Sequence, residues 1–268
     1  MVLGESVAGR GISRIRSIYR SIRGVGPSAT FTLARRQIAA ALGETNRAIY
    51  TIKAPGYPHP VKIRGGKGSD GYAFYQHLAI KDFDVLNDLG SPRLMIDAGA
   101  NIGMASLYFL NRYPGLRVVA IEPDPENFEM CRTNLAPYSD RVVLLKGAIW
   151  SSCGHVSLVK GELEWNSHVA QSNGQTEASV TAYDVPALIA AGGGGPVDFL
   201  KVDIEGGEAE LFGNNTNPWL PEIRNISIEF HGDECERAFF RALSGYKYDK
   251  LDYRTVTLCQ NIRPATQP

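Results

Sequence analysis

The chain of 268 residues is long for one small domain and short for two full ones, so a single α/β domain of about 200 residues with an N-terminal extension is expected. Hydrophobic residues make up 44% and charged residues 21%, an ordinary globular composition with ample material for a core. Lysine plus arginine equals aspartate plus glutamate at 28 each, which weighs against a dedicated nucleic-acid binder or an acidic tail protein.

Residues 1–47 read as a basic extension. Arg10, Arg14, Arg16, Arg20, Arg23, Arg35, Arg36 and Arg47 face only Glu5 and Glu44, and Ile12, Ile15, Ile18, Tyr19 and Ile22 recur among them at helical spacing. A helix with one apolar and one basic face is predicted, packing on its own domain or on a twin subunit. Contact with an anionic membrane surface and contact with nucleic acid are the alternatives for this segment. Cys131, Cys153, Cys235 and Cys259 lie far apart with no CxxC pair, so neither a disulfide framework nor a thiolate zinc site is expected, and these cysteines read as packing residues. With no apolar run long enough for a span or signal core, a cytoplasmic protein is predicted, membrane-peripheral if the basic helix binds lipid.

Residues 48–90 form an accessory region. Two short strands, Ala48 to Lys53 and Val61 to Arg64, flank a Pro-rich turn, and Gly65 to Gly71 reads as a flexible loop. A helix is predicted from Tyr72 to Leu89, ending at Gly90 before Pro92. Residues 91–268 then become regular. Strands are predicted at Leu94 to Ile96, Val118 to Ile121, Arg141 to Leu145, Val197 to Val202 and Asn225 to Phe230. Helices are predicted at Ile102 to Tyr113, Pro125 to Leu135, Asp184 to Ala191 and Glu208 to Phe212. Such alternation argues for a mostly parallel sheet covered on both faces, with ligands bound beyond the C-terminal strand ends.

Polar residues accumulate at those ends. The first strand runs into Asp97-Ala98-Gly99-Ala100-Asn101-Ile102-Gly103, where glycines allow close approach of a ligand to the backbone. The spacing is G-x-x-x-G, not the G-x-G-x-x-G that seats a pyrophosphate, and the preceding aspartate would repel one. That pattern, and the lack of a Tyr-x-x-x-Lys pair near the site, argue against a nicotinamide oxidoreductase. The second strand ends in Glu122-Pro123-Asp124, an acid placed to accept hydrogen bonds from an adenosine ribose.

Together with Ile121-Glu122-Pro123, the run Phe199 to Glu208 (FLKVDIEGGE) and Ile228-Glu229-Phe230-His231, the glycine segment resembles the FkbM type of class I S-adenosylmethionine-dependent methyltransferases. Arg64 and Ser69-Asp70 also resemble the segment preceding the cofactor domain in that family. The resemblance implies a Rossmann-like α/β fold, a seven-stranded sheet whose last strand is antiparallel, with helices on both faces. Tyr246 to Tyr253 and Thr255 to Ile262 would supply the final two strands. It implies S-adenosylmethionine as cofactor and O-methylation, often of sugar hydroxyls in glycolipids, polysaccharides or natural products. By the same resemblance, Asp97, Gly99, Ala100, Asn101 and Gly103 would contact the methionine portion of the cofactor, and Glu122 with Pro123 the ribose. Ala148 and Trp150 would flank the adenine, with Asp203 also near the cofactor.

A protonated sugar hydroxyl is a poor nucleophile, so a base or a metal ion is expected to assist. In one arrangement His231 is the general base, with Glu229 or Asp203 holding its tautomer. In the other, Asp203, Glu229 and His231 hold Mg²⁺ or Mn²⁺. Glu229 and His231 share a strand face, as do Asp203 and Glu205 if their strand continues. Residues 151–182 form a predicted hairpin insertion where the acceptor is chosen, with Trp165, Asn166, His168 and Glu205 as substrate-binding candidates and His168 as a second candidate base. The expected partner is a small-molecule or glycan acceptor. An N-methyltransferase acting on an amide or peptide, or a noncatalytic cofactor-binding protein, are the alternatives.

Overall fold

The computed structural model describes residues 26–39, 48–66, 68–159, 168–170, 178–214 and 216–265. The predicted basic helix around Ile12 to Ile22 lies outside them. The chain divides into two compact units, Met1–Phe83 and Asp84–Pro268.

In the first unit, helix α1 spans residues 26–39. Strands β1 (Ile49–Ile52) and β2 (Val61–Arg64) pair antiparallel, as the sequence pattern suggests. The segment after β2, expected to be a loose loop, is pinned at its described residues. The almost fully buried Asp70 carboxylate accepts from the Arg64 amide at 2.7 Å and from its guanidinium at 2.6 Å. Arg36 of α1 donates to the carbonyls of Arg64 and Gly68, at 2.6 and 2.9 Å. The single helix expected over Tyr72 to Leu89 is three pieces: α2 (Asp70–Phe74), a π turn (Tyr75–Ala79) and a 3-10 turn (Asp82–Val85). Lys81 takes a left-handed φ of 52°, which no right-handed helix can absorb.

The second unit carries two sheets. Along the chain come β3 (Leu94–Ala98), α3 (Met104–Arg112), β4 (Arg117–Glu122), α4 (Pro125–Leu135) and β5 (Val142–Lys146). Then follow β6 (Ala148–Ile149), β7 (Gly154–Val159), β8 (His168–Ala170), β9 (Ala178–Tyr183) and α5 (Val185–Ala191). The last stretch is β10 (Phe199–Val202), α6 (Glu208–Gly213), β11 (Ile226–Glu229), α7 (Asp233–Ala242), β12 (Tyr246–Tyr253) and β13 (Val256–Pro264). The main sheet has seven strands in the order β12-β13-β11-β10-β3-β4-β5. Its neighbours are parallel except β13, which runs antiparallel to both β11 and β12. The smaller sheet has the order β6-β9-β7-β8, with β7 antiparallel to both β8 and β9; because β8 intervenes in the chain, the two strands expected to pair across residues 151–182 do so without forming a simple hairpin.

Strands covered on both faces should be apolar throughout, and β3 and β10 are buried at every position. Each carries one exception, Asp97 and Lys201, and these are register partners on adjacent strands. Two opposite charges therefore enter the sheet interior together, the condition under which burial of either is tolerable. Helix starts obey local chemistry. The Asp124 carboxylate accepts from the amides of Glu126 and Asn127 with Pro125 in the first turn, and Asp184 caps α5 in the same way. Helix α7 has no counterpart in the sequence reading. It buries Cys235, Ala238 and Phe239, and opens with Asp233, Glu234 and Glu236 at the positive end of its dipole.

After β3 the chain builds β4 and β5 on one side, then returns to place β10 and β11 on the other. This reversal opens a crevice beyond the C-terminal ends of β3 and β10.

Candidate active site

The crevice is lined by Gly99, Asn101, Glu122, Pro123, Asp124, Asn127, Ala148, Trp150, Asp203, Glu205 and Gly207, among others. The glycine segment turns back onto β4, with the Gly99 and Ala100 amides donating to the Ile121 carbonyl at 3.1 and 3.0 Å. Gly99 has a φ of 74°, and a Cβ there would overlap the Asp203 carbonyl. Only glycine fits the crossing of these two strand ends. Asn101 also takes a left-handed φ, of 51°, and its amide donates to Glu122 Oε2 at 2.7 Å.

Glu122 is the acid of the β4 end. Its Oε1 accepts from the Asp124 amide at 3.0 Å, so both oxygens are anchored while each keeps lone-pair capacity toward the crevice. Burial pushes its carboxyl up to about 7, against the lowering effect of the backbone amides of Asp124 and Asn101. Trp150 stands across the crevice, its backbone amide bonded to the Tyr183 carbonyl at 2.8 Å.

Three residues named for the cofactor lie elsewhere. Asp97 is fully buried and absent from the crevice lining. Its Oδ2 accepts from Ser106 Oγ of α3 at 2.6 Å, and its Oδ1 lies 3.4 Å from Lys201 Nζ. It supports the loop from behind: Lys201 Nζ donates to the Gly99 carbonyl at 2.7 Å and lies 3.6 Å from Asp203 Oδ2. Burial alone would lower the Lys201 ammonium, but Asp97 and Asp203 outweigh it and its pKa lies above the ordinary lysine value. Ala100 is buried, and Gly103, with a φ of 84°, serves as the N-cap of α3 over Cys131 and Leu135.

The far wall gathers the chemistry. His231 Nδ1 lies 2.8 Å from Glu208 Oε1, while Nε2 lies 3.3 Å from Glu205 Oε2 and 4.0 Å from Asp203 Oδ1. Glu208 is fully buried, and the same oxygen accepts from the Ile204 amide at 3.3 Å. The hydrogen bond to Glu208 raises His231 to about 9, overcoming burial, so its imidazole is cationic at neutral pH. Burial pushes Glu205 up to about 7 against the pull of His231, and pushes Glu229 up as well, with Asp203 reinforcing the shift.

Two expectations are corrected here. The carboxylate that orients His231 is Glu208, not Glu229 or Asp203. The group whose donor atoms converge within 4.8 Å is Asp203, Glu205 and His231, with Glu205 in the place expected for Glu229. The shared-face argument fails because β10 stops at Val202 and β11 at Glu229. Glu205 reaches the group through a left-handed φ of 53°, and His231 through a bend ahead of Gly232. Sequence reasoning also gave no role to Lys201, Ser106 or Glu208. A lysine inside an apolar strand was the available signal for the first; Glu208 reads as an ordinary helix residue. Trp165 and Asn166 lie outside the described residues, and His168 is described only in its backbone, as the first residue of β8.

Residues 97–254 match the family described as the methyltransferase FkbM domain. The chain belongs to the FkbM methyltransferase family. Among relatives, it is 27% identical over 180 residues to the methyltransferase sdnD of Sordaria araneosa, covering 55% of this chain and 69% of that protein. It is 26% identical over 165 residues to the hexuronic acid methyltransferase AglP of Haloferax volcanii, covering 61% and 66%. A solved FkbM methyltransferase from Methylobacillus flagellatus superposes with a TM-score of 0.49 at 15% identity, over 94% of this chain and 60% of that one. The chain thus spans about two thirds of the length of both curated relatives.

As an FkbM methyltransferase, this protein uses S-adenosylmethionine, and its crevice suits that cofactor. The anchored Glu122 carboxylate can accept from both hydroxyls of a ribose, and Trp150 offers a flat apolar surface to an adenine. Gly99 leaves the loop backbone bare, with Asn101 beside it, where the methionine portion would lie. Among the described residues no helix is long and apolar enough to cross a membrane.

Proposed function

We propose that this FkbM methyltransferase methylates a hydroxyl of a sugar in a glycolipid, polysaccharide or natural-product glycoside. The observation that carries the reading is that Asp203 and Glu205 line the same crevice as the anchored Glu122 and are met there by the His231 imidazole, which Glu208 holds from behind. The likeness to AglP of Haloferax volcanii, a hexuronic acid methyltransferase, is the support from relatives.

When bound, the cofactor supplies a sulfonium methyl, an activated electrophile. The chain's own work is to hold an acceptor oxygen in line and to receive its proton. Positioning alone supplies roughly 7–11 kcal/mol in favourable cases. Glu205 and Glu229 both stand above the ordinary carboxylate range, so each can hold the proton that leaves the hydroxyl as the O–CH₃ bond forms. His231, already protonated at neutral pH, presents its Nε2–H to Glu205 and orients that carboxylate.

The test is incubation with S-adenosylmethionine and a panel of uronic acid and deoxysugar glycosides beside a matched panel of amides, read by mass spectrometry. Gain of one methylene on a glycoside, with formation of S-adenosylhomocysteine, is the expected result. Methylation confined to the amides would overturn the reading.

A further inference from the structure

We propose that Asp203, Glu205 and His231 form a binding site for one hard divalent cation of the Mn²⁺ or Mg²⁺ class, with Glu208 holding the imidazole from behind. The proposal rests on the hydroxyl-methylating reading above and specifies how the acceptor is held.

The donor atoms come from two adjacent parallel strand ends. Asp203 and Glu205 follow β10, His231 follows β11, and one ligand atom from each falls within 4.8 Å of the others. Around an octahedral cation with bonds of about 2.1 Å, neighbouring ligand atoms lie roughly 3 Å apart and opposite ones roughly 4.2 Å apart. The separations from Nε2, 3.3 Å to Glu205 and 4.0 Å to Asp203, already fall in that range.

The imidazole is arranged as a ligand. Its Nδ1 is committed to a fully buried carboxylate, which leaves Nε2 as the nitrogen directed at the other two side chains, and a cation bound there displaces the Nε2 proton to solvent. A carboxylate behind a histidine is the outer-shell arrangement that fixes ring orientation and raises ligand basicity. The backbone points the same way. Glu205 adopts a left-handed conformation uncommon for a non-glycine residue, and its carboxylate converges with that of Asp203 on His231. Bringing two carboxylates together is unfavourable by itself and becomes favourable around a dication.

Charge and donor type set the class of ion. Asp203, Glu205, Glu208 and Glu229 gather here against His231 and Lys201. Two carboxylates and one imidazole favour Mn²⁺ or Mg²⁺ over thiophilic ions. Three protein ligands leave about three octahedral positions for water and a pair of acceptor oxygens. A hydroxyl bound there loses its proton more readily, and Glu229, outside the trio and hydrogen-bonded to Thr255, is the nearby carboxylate that can receive it.

The experiment is titration of Mn²⁺ into the purified full chain, with free Mn²⁺ read by electron paramagnetic resonance. Calorimetric binding of S-adenosylhomocysteine in EDTA is run in parallel. One saturable Mn²⁺ per chain is expected, with spin-echo modulation from a coordinated imidazole nitrogen, a signature that needs no variant. Affinity should fall about 10- to 100-fold in Glu208→Gln. Glu205→Gln should lose more than Glu229→Gln, which separates this trio from one containing Glu229. Mn²⁺ that stays free at millimolar concentration, or binds without the nitrogen signature, overturns the cation site. If S-adenosylhomocysteine still binds in EDTA, the methyltransferase reading survives that result; if it does not, the cofactor assignment fails as well.

Discussion

The two walls of the crevice place acidic residues at equivalent strand ends and use them in opposite ways. On the β3–β4 wall, Asp97 is sealed in the core against Ser106 and Lys201, and Glu122 is clamped by two backbone amides. On the β10–β11 wall, Asp203 and Glu205 remain about one-third exposed and meet an imidazole. Burial raises Glu122 and Glu205 alike to about 7. The difference lies in anchoring: backbone donors cannot turn away, so Glu122 is preorganised to bind, whereas side-chain partners leave Glu205 free to exchange partners. Lys201 joins the walls, since its ammonium touches Asp97, Gly99 and Asp203 together.

Breaking that joint should have the largest effect. Lys201→Met strands the buried Asp97 carboxylate and should cost about 3–5 kcal/mol in urea unfolding. Adding Asp97→Asn should recover most of that loss, because it removes the stranded charge. Next comes the β10–β11 wall. His231→Gln should reduce turnover by about 10²–10⁴-fold while leaving S-adenosylhomocysteine affinity within a few-fold of wild type. Unchanged turnover would mean that the cluster is only an ion-pair network.

The binding wall should respond in the other parameter. Glu122→Gln should weaken S-adenosylhomocysteine by about 10- to 100-fold in calorimetry, the value of one to two charge-assisted hydrogen bonds. The smallest effect is in pH. His231 stands near 9 when folded, above its usual value of about 6.5. The stability it contributes is therefore complete below about 6.5 and lost as pH rises through 9. Glu122 and Glu205 bind extra protons in the folded chain from about 4.3 up to 7, so stability also falls with pH across that lower window. Thermal unfolding at pH 5, 7 and 9.5 should show both declines, and Glu208→Gln should flatten only the upper one.

Strands and helices of the second unit were legible where a local rule governs. The buried strands announce themselves as apolar runs, and α4 begins where Asp124 and Pro125 require it to. The glycine of the first strand end and the acid of the second, singled out from the sequence, line one crevice. The left-handed Lys81 and Glu205 were not, because neither residue type advertises that conformation. Helix α7 was passed over because its apolar positions are few and charges surround them.

By itself, the sequence determined the layered α/β architecture, the family and the identity of the acids at the strand ends. These follow from patterns that operate within a turn or two of chain, and from motifs whose residues are contiguous. Only the tertiary structure decided that Asp97 is buried against Ser106 and Lys201, that Glu208 holds His231, and that Glu205 completes the convergent trio. Those assignments depend on which strand lies beside which. Asp97 and Lys201 meet only because β3 and β10 become neighbours, and Glu205 and His231 only because β10 and β11 do.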